Sequence, residues 1–165
     1  MRLDLKKVFL NENECLTAQT DLDLSGEVFN GSAQIPEKVC AEMKVENHAG
    51  MVTLTADVNF SYCFVCDRCC AEFSRELACR FRHILVAGKS DDEGDDYIEA
   101  PDYMLDTDTL LRDDILLELP SKFLCKETCK GLCPKCGKNL NEGKCGCPEK
   151  EPDPRLAALS RLLEE

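Results

Sequence analysis

Histidine is nearly absent from this chain. Its 165 residues include two, His48 and His83, and neither stands beside a cysteine motif. A catalytic thiol needs a base next to it, so the thirteen cysteines do not read as nucleophiles. A glycine-rich phosphate loop, a His-Glu-x-x-His pair, a serine elbow and an isolated carboxylate pair in apolar surroundings are missing too. The expectation is a non-enzymatic protein with no small-molecule substrate.

Positive charge is also short. Lys and Arg number 20 against 32 Asp and Glu, for a net charge of −12, and an acidic protein makes a poor nucleic-acid coat because counterion release needs a positive surface. No apolar run approaches the roughly 20 residues of a membrane span. The start, Met1-Arg-Leu-Asp-Leu-Lys-Lys, is charged and has no apolar stretch of secretory-signal length. These absences point away from membranes and toward a cytoplasmic, reducing setting, where cysteines bind metal or stay free.

What the chain does have is clustered sulfur. Cys125-Lys-Glu-Thr-Cys129-Lys-Gly-Leu-Cys133-Pro-Lys-Cys136-Gly is followed by Cys145-Gly-Cys147, which puts six thiols in 23 residues. Paired thiolates separated by two residues, with Pro after the first and Gly after the second, form a knuckle whose amides point at the sulfurs. Structural zinc takes four ligands, and Cys133, Cys136, Cys145 and Cys147 supply four on their own. Cys66-Asp-Arg-Cys69 is a second knuckle. Cys125 and Cys129 have the spacing of one helical turn, and the two pairs make a second set of four. On that reading one zinc staples the tail to the rest of the chain and a second folds the terminal ribbon. The alternative is that Cys66 and Cys69 are turn cysteines, and that Cys125 and Cys129 compete for a single ion. Cys15, Cys40, Cys63 and Cys79 lie in or beside alternating strands and read as small hydrophobes. Cys70 duplicates Cys69.

The rest of the chain supplies the frame. Val39, Ala41, Met43 and Val45 alternate with polar residues, and so do Val52 through Tyr62, with Asn47-His48-Ala49-Gly50 as a turn between them. Phe73, Arg75, Leu77, Cys79 and Phe81 alternate again, so the Cys66–Cys70 segment caps a second hairpin. The expected fold is α+β: an antiparallel β-meander or barrel-like domain over 1–88, an acidic linker over 89–106, a helix over 107–120 packed on the sheet, and a cysteine-rich zinc-binding tail over 121–165. The helix starts at the caps of Asp106-Thr107-Asp108, buries Leu111, Ile115 and Leu119, and stops at Pro120. The tail closes with an amphipathic helix after Asp153-Pro154. Beyond Pro120 the large apolar residues are few: Phe123, Leu124, Leu132 and Leu140 come before that last helix. Such a segment orders itself only with outside help.

Charge is distributed unevenly. Asp91 to Asp108 holds nine acids and no Lys or Arg, whereas Ser121 to Lys150 holds seven Lys against three Glu. Two tetrathiolate zinc centres would carry roughly −4, which that excess of lysine would offset. Alternatively Lys126, Lys130, Lys135, Lys138 and Lys144 face an RNA backbone. The lack of aromatics among them argues against a base-stacking platform.

Taken in order, the Cys66-Asp-Arg-Cys69 knuckle, the helix ending Leu116-Leu-Glu-Leu-Pro120, the run from Cys125 to Gly137, Asn139-Leu-Asn, Cys145-Gly-Cys147 and Asp153-Pro-Arg-Leu resemble the YceD family of bacterial proteins, from about residue 10 onward. The resemblance implies a cytosolic ribosome-biogenesis factor that supports accumulation and maturation of large-subunit (23S) ribosomal RNA. Its implied partners are ribosomal RNA or a large-subunit ribosomal protein. Two competing readings are a zinc-stabilised protein-interaction adaptor unrelated to ribosomes and, more weakly, a redox sensor.

Overall fold

A computed structural model describes residues 1–29, 33–88 and 97–148. The molecule is mostly β, with a few short helices and a curled, half-barrel sheet. In chain order it contains β1 (Arg2–Asp4), α1 (Lys6–Leu10), β2 (Cys15–Leu22), β3 (Val28–Phe29), β4 (Ala33–Gln34), β5 (Val39–His48), β6 (Met51–Val65), β7 (Glu72–Val86), β8 (Tyr97–Glu99), a 3-10 turn (Pro101–Tyr103), β9 (Met104–Asp106) and α2 (Thr107–Glu118).

The large sheet is built on β6. One edge of β6 pairs with β5 over its first half and with β4 at Gln34–Cys63, and its other edge pairs with β7 from Val52–Leu85 to Val65–Glu72. Strict alternation sets the faces: Val39, Ala41, Met43 and Val45 on β5 and Val52, Leu54, Ala56, Val58, Phe60, Tyr62 and Phe64 on β6 are all buried. Because side chains repeat every two residues, a slip of one residue would turn every one of these side chains out to solvent. The β5–β6 turn is Ala49-Gly50 with both residues in the left-handed region, as a two-residue hairpin requires. Asn47, buried beside it, accepts from the Gly50 amide (3.0 Å) and donates to the Val8 carbonyl (2.8 Å).

Two expectations need correction. The sheet is neither wholly antiparallel nor closed, since β8 runs parallel to β7 and, among the described residues, β2 and β8 do not pair to complete a barrel. The acidic stretch 89–106 is not all linker. Residues 97–106 form β8, the 3-10 turn and β9, with Ala100 and Leu105 buried and β9 paired antiparallel to β1. Acidity describes only the outward half of that segment, and its Ile98 and Leu105 pack with the core. Residues 89–96 lie outside the described residues.

Helix α2 buries Leu111, Ile115 and, just past its end, Leu119 in the same cluster as the sheet. Its N-terminus is held differently from the expectation. Asp106 makes no side-chain cap bond, and the amide and hydroxyl of Thr107 instead donate to the Met1 carbonyl at 3.0 and 2.9 Å. At Leu119 the backbone turns extended (φ −61°, ψ 137°), as the residue before Pro120 must. The amphipathic helix expected after Asp153 lies outside the described residues. No helix among the described residues is long and apolar enough to cross a membrane.

Candidate metal centres

Beyond Pro120 the chain returns to the tip of the β6–β7 hairpin. Phe123, 2 % exposed, sets its ring 5.5 Å from Phe64 and 6.1 Å from Tyr62. Backbone pairing fixes the register: Asp67 N–H donates to the Phe123 carbonyl, and the Phe123 amide donates to the Asp67 carboxylate, both at 2.8 Å. Arg75 of β7 lies over the Phe64 ring and donates to the carbonyls of Leu124 (2.9 Å) and Cys125 (3.0 Å). Arg68 reaches the Cys129 carbonyl at 2.9 Å. These contacts deliver Cys125 and Cys129 to Cys66 and Cys69.

The four sulfurs lie within 4.8 Å of one another, with Cys66–Cys129 at 3.9 Å and Cys69–Cys125 at 3.7 Å. A tetrahedral ion with metal–sulfur bonds of about 2.3 Å needs sulfurs about 3.8 Å apart, so the donor set fits a divalent ion. The Cys125–Cys129 segment is not a helical turn, as its spacing suggested. It is a tight turn closed by Cys129 N–H to the Lys126 carbonyl (3.0 Å).

The second tetrad, Cys133, Cys136, Cys145 and Cys147, is local to the tail, and its sulfurs also lie within 4.8 Å of one another. The two knuckles share one backbone form. Cys133 O accepts from Gly137 N (2.8 Å) just as Cys66 O accepts from Cys70 N (2.9 Å), and Gly137 (φ 73°) and Cys70 (φ 56°) both occupy the left-handed region. Cys70 therefore stands where the other knuckle has its glycine. It is exposed and belongs to neither tetrad.

In each tetrad the surroundings favour ionisation of some thiols and oppose it in others. Burial pushes the Cys66 thiol up, but the amides of Cys125, Arg68 and Cys69 outweigh it and bring it down to about 6. Cys133 is brought down to about 6 chiefly by the amides of Cys136 and Lys135. Conversely Cys125, by burial and then by the neighbouring sulfurs, is pushed up to about 12. Cys147 is pushed up to about 12, first by the Cys136 sulfur. The backbone thus readies some thiolates, and only a cation lets all four ionise together.

Side chains that composition and spacing did not flag complete the inner site. Asp67, Arg68 and Arg75 clamp the tail, and Asn141 donates to the Cys129 sulfur at 3.2 Å while accepting from Lys130 N (2.9 Å). Gly131 (φ 74°) packs so closely on Arg68 that a Cβ there would stand 2.9 Å from its carbonyl oxygen. The only sequence signal for these roles was their place inside or beside the knuckles. Of the four cysteines expected to act as small hydrophobes, Cys79 is half-buried and packs against the core, whereas Cys15, Cys40 and Cys63 are exposed. Cys15, Cys40 and Cys63 fall on the outward phase of their strands, so Cys40 meets Asp21 (3.0 Å) and not the core.

Residues 54–163 match the family model described as large ribosomal RNA subunit accumulation protein YceD. Over 61 residues, 37 % of this chain, the sequence is 39 % identical to the "Large ribosomal RNA subunit accumulation protein YCED homolog 1, chloroplastic" of Arabidopsis thaliana. Over 102 residues, 61 % of the chain, it is 29 % identical to the uncharacterized protein YlbN of Bacillus subtilis (strain 168). The aligned segments span 19 % and 59 % of those two relatives' lengths. No solved structure matches the chain.

Proposed function

The chain belongs to the YceD family, and from that premise we propose that it is a non-enzymatic ribosome-biogenesis factor supporting accumulation and maturation of large-subunit (23S) ribosomal RNA. The observation that carries this reading is the span of the family match, which takes in all eight tetrad cysteines together with the hairpin and helix that position them. The name of the Arabidopsis relative points the same way. Thirteen cysteines, none in a disulfide, suit a reducing compartment that contains ribosomes, for which the cytoplasm is the simplest choice.

Zinc is the metal this reading assigns to both tetrads, because four thiolates at tetrahedral spacing suit it. Bound there, it supplies a cross-link between chain segments. With four protein sulfurs around it no coordination position is left for water, which fits a structural role and not a hydrolytic one.

Charge favours an adaptor. An acidic body attracts a basic ribosomal protein, and the exposed Lys126, Lys130, Lys135, Lys138 and Lys144 offer a local positive face to RNA. Depleting the protein should lower large-subunit rRNA relative to small-subunit rRNA, and unchanged rRNA ratios would remove the ribosomal role. In extracts, association with a ribosomal protein that survives RNase supports the adaptor, whereas RNA binding that falls steeply with salt supports direct phosphate contact.

A further inference from the structure

We propose that the groove between β8, β9 and α2 binds an extended Lys/Arg-rich segment of a protein partner. This deepens the adaptor reading and rests on it only for the biological source of that segment.

The groove has a volume of about 530 Å³ and lies away from both tetrads. Its floor is apolar: Ile98 and Leu110 are half-buried, and Met104 is 38 % exposed. Around it stand the exposed carboxylates of Glu99, Asp106 and Asp113, with Arg2 the one cation in its lining. Two of its walls come from residues 97–108, which hold four acids and no Lys or Arg.

An apolar floor with an acidic rim selects one kind of occupant. Lysine and arginine lay their methylene stems on apolar surface and hold their charged heads outward, so a cationic segment covers Met104 and Ile98 and meets the rim carboxylates. A purely apolar helix would desolvate Asp106 and Asp113 with no positive charge of its own to offset the cost. A phosphate backbone would be repelled. Charge also accelerates encounter, so the on-rate should fall as ionic strength rises.

The test uses the full, metal-loaded chain and a fluorescent peptide of about fifteen residues in which Lys and Arg alternate with Leu. A peptide with Glu at the cationic positions serves as its counterpart. Charge reversal in D106K/D113K should weaken the cationic peptide at least tenfold, D106N/D113N should weaken it severalfold, and Met104→Ser should weaken it with net charge unchanged. The control E42K/E76K makes the same change in net charge on the outer face of the sheet and should leave binding within twofold of the parent. Equal weakening by groove and control variants would reduce the binding to net charge and overturn the proposal, as would cationic-peptide binding indifferent to all the groove variants. Circular dichroism and metal content confirm that each variant is folded. The groove can fail this test while depletion still lowers large-subunit rRNA, and it can pass while depletion does nothing, so the two readings fail separately.

Discussion

The two tetrads carry identical donors in different surroundings. In the inner one Cys66, Cys69 and Cys129 are buried and Cys125 half-buried, whereas in the outer one only Cys133 is buried and Cys136 is exposed. The inner four come from chain segments 56 residues apart, Cys69 to Cys125; the outer four fall within fifteen consecutive residues, Cys133 to Cys147. One closes a long loop against the sheet, and the other organises a ribbon. The difference shows where the apolar core gives out. Phe123 is the last side chain in the main core cluster, and just past it the inner cysteines form a cluster of their own.

That contrast can be broken most severely at Cys66. Cys66→Ser removes one of the four inner sulfurs proposed to hold zinc, and structural zinc in small domains is worth about 10 kcal/mol or more. Metal content should fall from two ions to one, with proteolysis near Pro120 sharply increased. A chain that kept two ions and resisted protease would remove the inner staple. Next in size is Phe123→Ala. Truncating a buried phenylalanine costs ~3–5 kcal/mol, which should appear in denaturant unfolding together with easier loss of inner metal to a chelator. Loss of metal from the outer site instead would reverse the assignment of Phe123 to the inner staple.

Gly131→Ala sharpens the comparison without touching a ligand. The left-handed backbone and the 2.9 Å approach of its Cβ to the Arg68 carbonyl should together cost roughly 1–3 kcal/mol, read as a lower unfolding midpoint. Cys136→Ser should cost one ion while leaving the sheet's unfolding midpoint close to the parent's, because no sheet residue ligates that site. A large drop would mean that the tetrads are coupled through Asn141, which joins the ribbon to Cys129. The smallest expected effect has the opposite sign. Cys70→Gly relieves a left-handed non-glycine residue and should leave metal content unchanged while stabilising by up to about 1 kcal/mol; loss of an ion would show Cys70 to be a ligand after all.

Much of this was legible in advance because two periodicities carry it. Alternation over 39–45 and 52–62 marks strands with one buried face, and the spacing of Leu111, Ile115 and Leu119 marks the inward stripe of α2. The knuckle motifs likewise announce paired thiolates through local geometry alone. The acidic stretch misled because composition averages over both faces of a strand: Ile98 and Leu105 pack with the core between acids that face water. The exposed cysteines misled for a related reason, since residue type said "small hydrophobe" while strand phase put Cys40 and Cys63 outside.

The sequence by itself determined the strand phases, the amphipathic helix and the presence of eight thiols in knuckle-like pairs, because each depends on neighbours a few residues apart. Only the tertiary structure decided that Cys66 and Cys69 meet Cys125 and Cys129, that Asp67, Arg68 and Arg75 hold the returning chain, and that acids from β8, β9 and α2 gather round one apolar groove. Those outcomes depend on residues that share no local period. Hairpin register and the burial of Phe123 bring them together, and neither can be read from spacing along the chain.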